Sequence, residues 1–213
     1  SEMCISDRSL EKLLTGIFSA TLGKGFQAER ANSHKTLSQD GWEGLDWYLS
    51  KPLRQQILAD APPPKTGHRK GAGLVEADTT FVFGHTHKPF QDTVGVHGYR
   101  QPVKVFNSGG WVVDQPDFSP AQGGAIVFVD SDLNVASLRL FQAPVNGEMP
   151  PVTAVGSHLG ERADNPLLQR MQDNIDQGHW QVFQESACLA MQQRAMEVLS
   201  LIHISEPTRP SQI

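Results

Sequence analysis

Two histidines separated by one residue, His85 and His87, follow a short apolar run at residues 79–83. Neutral imidazole is the commonest metal ligand among side chains. Because the run consists of β-branched and aromatic residues, it predicts a buried strand. Alternate residues of an extended chain point the same way, so both imidazoles would aim at one spot, with Thr86 turned away. Gly84 has no Cβ and would let the backbone approach another group closely.

Residues 84–89 read GHTHKP and resemble the last signature block, G-H-x-H, of the calcineurin-like metallophosphoesterases. Gly84, His85 and His87 match the three fixed positions of that block. The alternative is that both histidines are ordinary residues of a turn. The order of the elements that follow favours the phosphoesterase interpretation over this alternative.

A strand predicted at residues 103–106 leads into Asn107-Ser108-Gly109-Gly110. In the phosphoesterase family, a strand and an N-x-G-S-type loop follow the histidine block. Asn107 and Gly109 match that loop, whereas Gly110 stands where serine is usual. The same four residues are also typical of a plain tight turn, which needs no metal.

The resemblance implies an α/β fold, namely the C-terminal part of a metallophosphoesterase-type β-sandwich flanked by helices. It implies two divalent metal ions, manganese, iron or zinc, with His85 binding one and His87 the other. Gly84, Asn107 and Gly109 would belong to the substrate or active-site loop. The family's other blocks, D-x-H, G-D-x-x-D and G-N-H, do not occur at residues 9–78. The catalytic residues and most metal ligands are therefore expected upstream, and this chain alone is expected to be inactive.

The implied activity is hydrolysis of a phosphomonoester or phosphodiester, on a small molecule or a lipid, by a hydroxide that two metals activate. The alternative is a non-catalytic binding module on the same fold that has lost its metal site. A purely structural α/β domain with incidental histidines agrees least with the ordered motifs.

Both ends of the chain look foreign to the rest. Residues 1–7 and 199–209 resemble translations of one sequencing-library adapter, forward at the start and reverse-complemented at the end. We therefore expect an internal piece of a longer gene. The expected organisation is adapter-like sequence at 1–8, a helical insertion or lid at 9–64, the phosphoesterase core at 65–142, a linker at 143–164, a helical pair at 165–198 and adapter-like sequence at 199–213.

Local patterns predict several further elements. A helix is expected at residues 9–21, and a helix start at 50–52, where serine precedes Lys-Pro. Hairpins are predicted over residues 93–100 and between 124–129 and 135–141. In the predicted strand at residues 135–141, Leu138 and Leu140 share one face and Arg139 lies on the other, which indicates a half-buried strand.

The composition excludes some functions. The chain has 213 residues and a formal charge of −5, and the absence of a basic stripe gives no sign of a nucleic-acid partner. No apolar run is long enough to span a bilayer, and a cytoplasmic location is expected. Outside the adapter-like ends only Cys188 remains, so no disulfide framework is expected.

Overall fold

A computed structural model describes residues 36–61, 73–84, 86–110, 121–144, 148–158 and 161–205, with the backbone alone for 202–205. The predicted helix at 9–21 lies outside these residues. The described part is mixed α/β and contains two three-stranded sheets. The chain divides into two compact units, Ser1–Thr79 with Thr93–Val103, and Thr80–Asp92 with Lys104–Ile213. The domain division expected from the sequence stays a prediction.

The first unit contains one continuous helical stretch. Helix α1 spans Gln39–Tyr48, a π-helical turn spans Leu49–Leu53, and helix α2 spans Arg54–Asp60. The hydroxyl of Ser38 caps α1 by accepting a hydrogen bond from a backbone N–H at 3.0 Å. The helix start predicted at residues 50–52 is wrong, because the chain is already helical there. Pro52 lies in the π-helical turn, where a wider backbone accommodates a residue that has no N–H to donate.

Tyr99 ties the rest of the first unit to this helical stretch. Its hydroxyl donates to the carbonyl oxygen of Leu49 at 3.0 Å, and this hydrogen bond is buried. Burial raises the pKa of the Tyr99 phenol. Tyr99 also forms an isolated parallel bridge with Val75. The hairpin predicted within residues 93–100 is wrong, since Tyr99 N–H only closes a turn onto the Val96 carbonyl oxygen at 3.3 Å and the bridge partner of Tyr99 is Val75, more than twenty residues earlier in the chain.

The first sheet carries the motif residues. Its strands are β1 (Thr80–Phe83), β2 (Phe90–Val94) and β3 (Val103–Asn107), in the order β1-β3-β2. Strands β1 and β3 are parallel. The strand predicted at residues 79–83 is confirmed, but its full burial is not, because Val82 is 44% exposed. Thr80 and Val82, which alternate along β1, are both exposed, so one face of this strand is open in the described part of the chain.

The second sheet is antiparallel. It contains β4 (Gly123–Val129), β5 (Val135–Gln142) and β6 (Thr153–Val155), in that order. The hairpin predicted between residues 124–129 and 135–141 is confirmed. Strand β6 lies inside residues 143–164, where the sequence indicated a linker. Residues Thr153–Val155 pair with Ser137–Arg139, so this part of the expected linker belongs to the sheet.

Two helices cover one face of the second sheet. Helix α3 spans Pro166–Asn174 and helix α4 spans Gln177–Ser205. Asn165 caps α3 by accepting a hydrogen bond from Leu168 N–H at 3.0 Å. The buried apolar residues between sheet and helices are Ala136, Leu138, Leu140, Val152, Ala154 and Leu168. None of the helices in the described part of the chain combines the length and apolar character of a membrane-spanning segment.

The second sheet contains a buried arginine, Arg139, on β5. The alternating pattern predicted a solvent-facing arginine, yet its side chain is only 7% exposed. Its Nη2 donates to Oε1 of Gln91 on β2, so another layer covers this face of β5. Among the described residues, Nη1 has no hydrogen-bond partner. Desolvation lowers the pKa of the guanidinium to about 10, and the group therefore stays charged at neutral pH.

Because Arg139 is buried, we expect the loss of its acceptor, Gln91, to reduce the stability of the fold more than the loss of its charge. Replacing Gln91→Leu removes the described acceptor of a buried cation, and we expect a loss of about 1.5–3 kcal/mol in the free energy of unfolding. Replacing Arg139→Met removes the desolvation cost, so stability should stay equal or rise. Urea unfolding measures both changes. The exposed Gln101→Leu is the control, and a larger loss from Arg139→Met than from Gln91→Leu would contradict the interpretation.

The turn between β4 and β5 is organised by Asp130. Its Oδ1 accepts hydrogen bonds from the backbone N–H groups of Asp132 at 3.0 Å and Asn134 at 2.9 Å. Its Oδ2 accepts a third bond, at 3.1 Å, from the Asn134 side chain. Mainly because of that side-chain bond, the pKa of Asp130 lies below its ordinary value. Asp130 thus stabilises the turn that connects the two strands.

Substituting Asn134→Ala should raise the pKa of Asp130 towards about 3.9, the value of a free aspartate. A carboxylate whose pKa is lower in the folded state stabilises the fold above its unfolded pKa, and that contribution disappears as the pH falls through the folded value. The variant should therefore lose less stability than the parent upon acidification. Titration of the carboxyl ¹³C signal measures the pKa. The exposed Ser131→Ala should leave it unchanged, and an unchanged pKa in Asn134→Ala would refute the assignment.

Candidate functional site

The histidine loop and the Asn-Ser-Gly turn leave the first sheet side by side. Strand β1 ends at Phe83 and β3 ends at Asn107, and these two residues are partners in the parallel register. Beyond them, Ser108 N–H donates to the carbonyl oxygen of Phe83 at 2.9 Å. The carboxyl ends of parallel strands form the edge at which α/β proteins bind ligands. The structure thus brings together two motifs that lie more than twenty residues apart in the sequence.

The side chain of Asn107 connects the two loops. It is fully buried, and its Oδ1 accepts a hydrogen bond from Gly109 N–H at 2.8 Å. Its Nδ2 donates to Oγ1 of Thr86. The Thr86 hydroxyl in turn donates to the carbonyl oxygen of Lys88 at 3.3 Å. Both ends of the Asn107 amide are therefore engaged inside the protein.

His87 has an unusual backbone conformation. Its φ is +59°, which lies in the left-handed region that residues other than glycine rarely adopt. Its carbonyl oxygen accepts a hydrogen bond from Gly123 N–H at 3.1 Å, at the start of β4. Its ring lies against Gly110, where an added Cβ would come within 2.3 Å of the ring atom Cδ2. The backbone and the ring of His87 are thus held from separate sides.

Glycines make this close packing possible. Gly109 has a φ of +70°, and a Cβ there would lie 2.6 Å from the Gly123 carbonyl oxygen and 2.6 Å from Pro89. A Cβ at Gly84 would lie 2.9 Å from Oγ of Ser108. The close approach expected at Gly84 is therefore present, and its neighbour is the Asn-Ser-Gly turn. A serine at position 110, usual in the resembled family, would meet the His87 ring.

The extended backbone that was assumed for the histidine pair is not present at His87. The sequence argument assumed an extended chain over residues 85–87, but β1 ends at Phe83 and His87 is left-handed. The argument also turned Thr86 away from the site, whereas Thr86 accepts a hydrogen bond from Asn107. The bond to β3 determines the local conformation, and strand periodicity does not extend past the strand. His85, the other predicted ligand, lies outside the described residues.

Two contributors to the loop geometry were missed by sequence reasoning. They are the hydroxyl of Thr86, which accepts a hydrogen bond from Asn107, and the absence of a side chain at Gly110, whose place the His87 ring occupies. A short polar residue between two histidines, followed later by a strand ending in asparagine, was the available signal for Thr86. Within the residues that the structure describes, no group of three or more His, Cys, Asp or Glu side chains could hold a metal ion.

Comparison with protein-family models, with curated proteins and with solved structures finds no match to this chain.

The packing at Gly109 predicts a large effect of one methyl group. Gly109→Ala places a Cβ at a positive φ and against backbone atoms of Gly123 and Pro89, so we expect a loss of about 1–3 kcal/mol in unfolding free energy. Thermal and urea unfolding measure it. Gly95→Ala is the matched control, because no atom lies within 4 Å of its added Cβ. Equal stability of the two variants would contradict the described packing.

Proposed function

We propose that this chain is part of a calcineurin-like, metal-dependent phosphoesterase in which His85 binds one metal ion and His87 the other. One observation carries the proposal. The G-H-T-H loop and the Asn-Ser-Gly turn leave neighbouring parallel strands at one edge, where Thr86 and Asn107 bond them together. The resemblance concerns both motifs and their order, and incidental turn histidines would not require this shared edge.

The two sheets support the expected sandwich. Arg139 on β5 donates to Gln91 on β2, so one strand of each sheet faces the other in the second unit. We take the sheets as the two layers of a metallophosphoesterase-type β-sandwich, with α3 and α4 on the outer face of the second layer. The 44% exposure of Val82 on β1 also supports the proposal. Strands of parallel sheets are usually covered on both faces, and upstream residues of a longer protein would cover this one.

The described residues fit a metal site only in part. His87 supplies one imidazole at the correct edge, and His85 is its sequence neighbour outside the described residues. Two divalent cations would supply a water molecule with a lowered pKa and positive charge for the phosphate oxygens. Hard divalent cations also need carboxylate ligands, which we assign to the upstream D-x-H, G-D-x-x-D and G-N-H blocks. The part of the described residues here is to hold the His87 imidazole beside the Asn107–Gly109 turn.

The proposed substrate is a phosphorylated small molecule or a lipid phosphate, and the proposed location is the cytoplasm. The alternative function is a non-catalytic binding module on the same fold. The two differ in the upstream sequence, because the module would have apolar residues where the enzyme has its metal-binding aspartates.

The decisive test uses the protein extended upstream to its natural start. With added Mn²⁺ it should hydrolyse bis-p-nitrophenyl phosphate, and His85→Ala and His87→Ala should each reduce turnover to background by removing a metal ligand. His97→Ala, at an exposed histidine of the same chain, is the control and should retain activity. The 213-residue chain alone should show no turnover. Full activity of both variants would refute the enzyme, and a folded extended protein without bound metal would favour the binding module.

A further inference from the structure

The hydrogen bonds between β3 and the histidine loop run in one direction. Oδ1 of Asn107 accepts from Gly109 N–H, which identifies that atom as the oxygen and places the amide nitrogen towards Thr86. The nitrogen can only donate, so Thr86 Oγ1 is an acceptor in that contact. The single hydroxyl proton of Thr86 then remains for the carbonyl oxygen of Lys88. The relay runs from Asn107 through Thr86 to Lys88.

This relay closes around His87. Thr86 and Lys88 are its two neighbours, and the hydrogen bond between them spans the residue at φ +59°. A left-handed conformation costs a residue other than glycine roughly 1–2 kcal/mol. Such a conformation persists only where surrounding contacts determine it. The relay on one side and the bond from Gly123 N–H on the other provide those contacts.

From these contacts we infer that Thr86 and Asn107 are positioning residues that hold His87 in its left-handed conformation. The Asn107 amide acts on the loop, since both of its ends are buried and bonded, and does not act on a substrate. Gly110 completes the arrangement by leaving room for the imidazole ring. The consequence for metal binding rests on the proposed function, whereas the conformational effect does not.

The conformational test uses the substitution Thr86→Val, which keeps the shape of the side chain and removes the hydroxyl. A φ near +60° brings the amide and α protons of one residue close together, and the NOE between them in ¹⁵N-labelled protein reports it. This NOE at His87 should be strong in the parent and in Thr86→Ser, and should fall severalfold in Thr86→Val. A folded Thr86→Val protein that retains the full NOE would overturn the inference.

The matched control is Thr79→Val. The Thr79 hydroxyl also donates to a backbone oxygen two residues away, Ala77 O at 3.1 Å, but it lies away from His87 in sequence and in the other unit. This variant should leave the His87 NOE unchanged, and a loss equal to that of Thr86→Val would also overturn the inference. If Thr86→Val does not fold, Asn107→Asp replaces it. The aspartate still accepts from Gly109 N–H but draws the Thr86 proton away from Lys88, so the NOE should fall.

A second measurement links the relay to metal binding. Zn²⁺ alone is titrated into each variant, and the ring ¹⁵N shifts of His87 report its affinity. Loss of a group that orients a metal ligand typically weakens binding by about 10–100-fold, so Thr86→Val should fall in that range while Thr86→Ser and Thr79→Val match the parent. Equal affinity in all variants, despite a changed NOE, would limit the relay to backbone conformation and overturn its metal role. If Zn²⁺ leaves His87 unperturbed in the parent while the NOE changes as expected, the positioning inference stands and the proposed function fails.

Discussion

The parallel pairing of β1 with β3 is the constraint on which the site depends. It places Phe83 opposite Asn107. The loops that follow β1 and β3 therefore begin side by side, and the Asn107 side chain can reach Thr86. A buried asparagine must satisfy both its donor and its acceptor, and among the described residues the two loops provide these partners. A shift in register by one residue would turn the asparagine to the other face of the sheet. The site is therefore specified by a β-sheet register before any histidine is considered.

The parts of the fold that sequence predicted were those with strong local signals. Strand β1 and the β4–β5 hairpin follow from apolar runs of strand-forming residues. Burial was harder to predict, because a period of two in β5 shows which residues share a face but not whether a second layer covers the other face. Arg139 was misplaced for that reason. Strand β6 was missed because its flanking prolines and glycines hide a three-residue strand whose support comes from β5.

The two motifs predicted to form the site lie next to each other in the described structure, and their role as a functional site stays a prediction. The proximity of residues 84–87 and 107–109 followed from motif order, and the structure shows that proximity. The left-handed backbone at His87 has only a weak local signature, because histidine is enriched among the few non-glycine residues with positive φ but still adopts it rarely. Contacts with residues about twenty positions further on impose it. This conformation is a case in which tertiary structure overrides the periodicity of a preceding strand.

The positive φ of His87 also has a consequence for how this protein could change over time. Glycine or asparagine would adopt that backbone angle more cheaply than histidine, so thermodynamic pressure at position 87 acts against the imidazole. A histidine at this position therefore makes the loop less stable than a glycine would. The φ angle of His87 is thus a point at which stability and a function of the ring would be in conflict. Directed evolution for heat resistance alone would tend to replace this histidine, whereas selection that also includes a function of its ring would keep it.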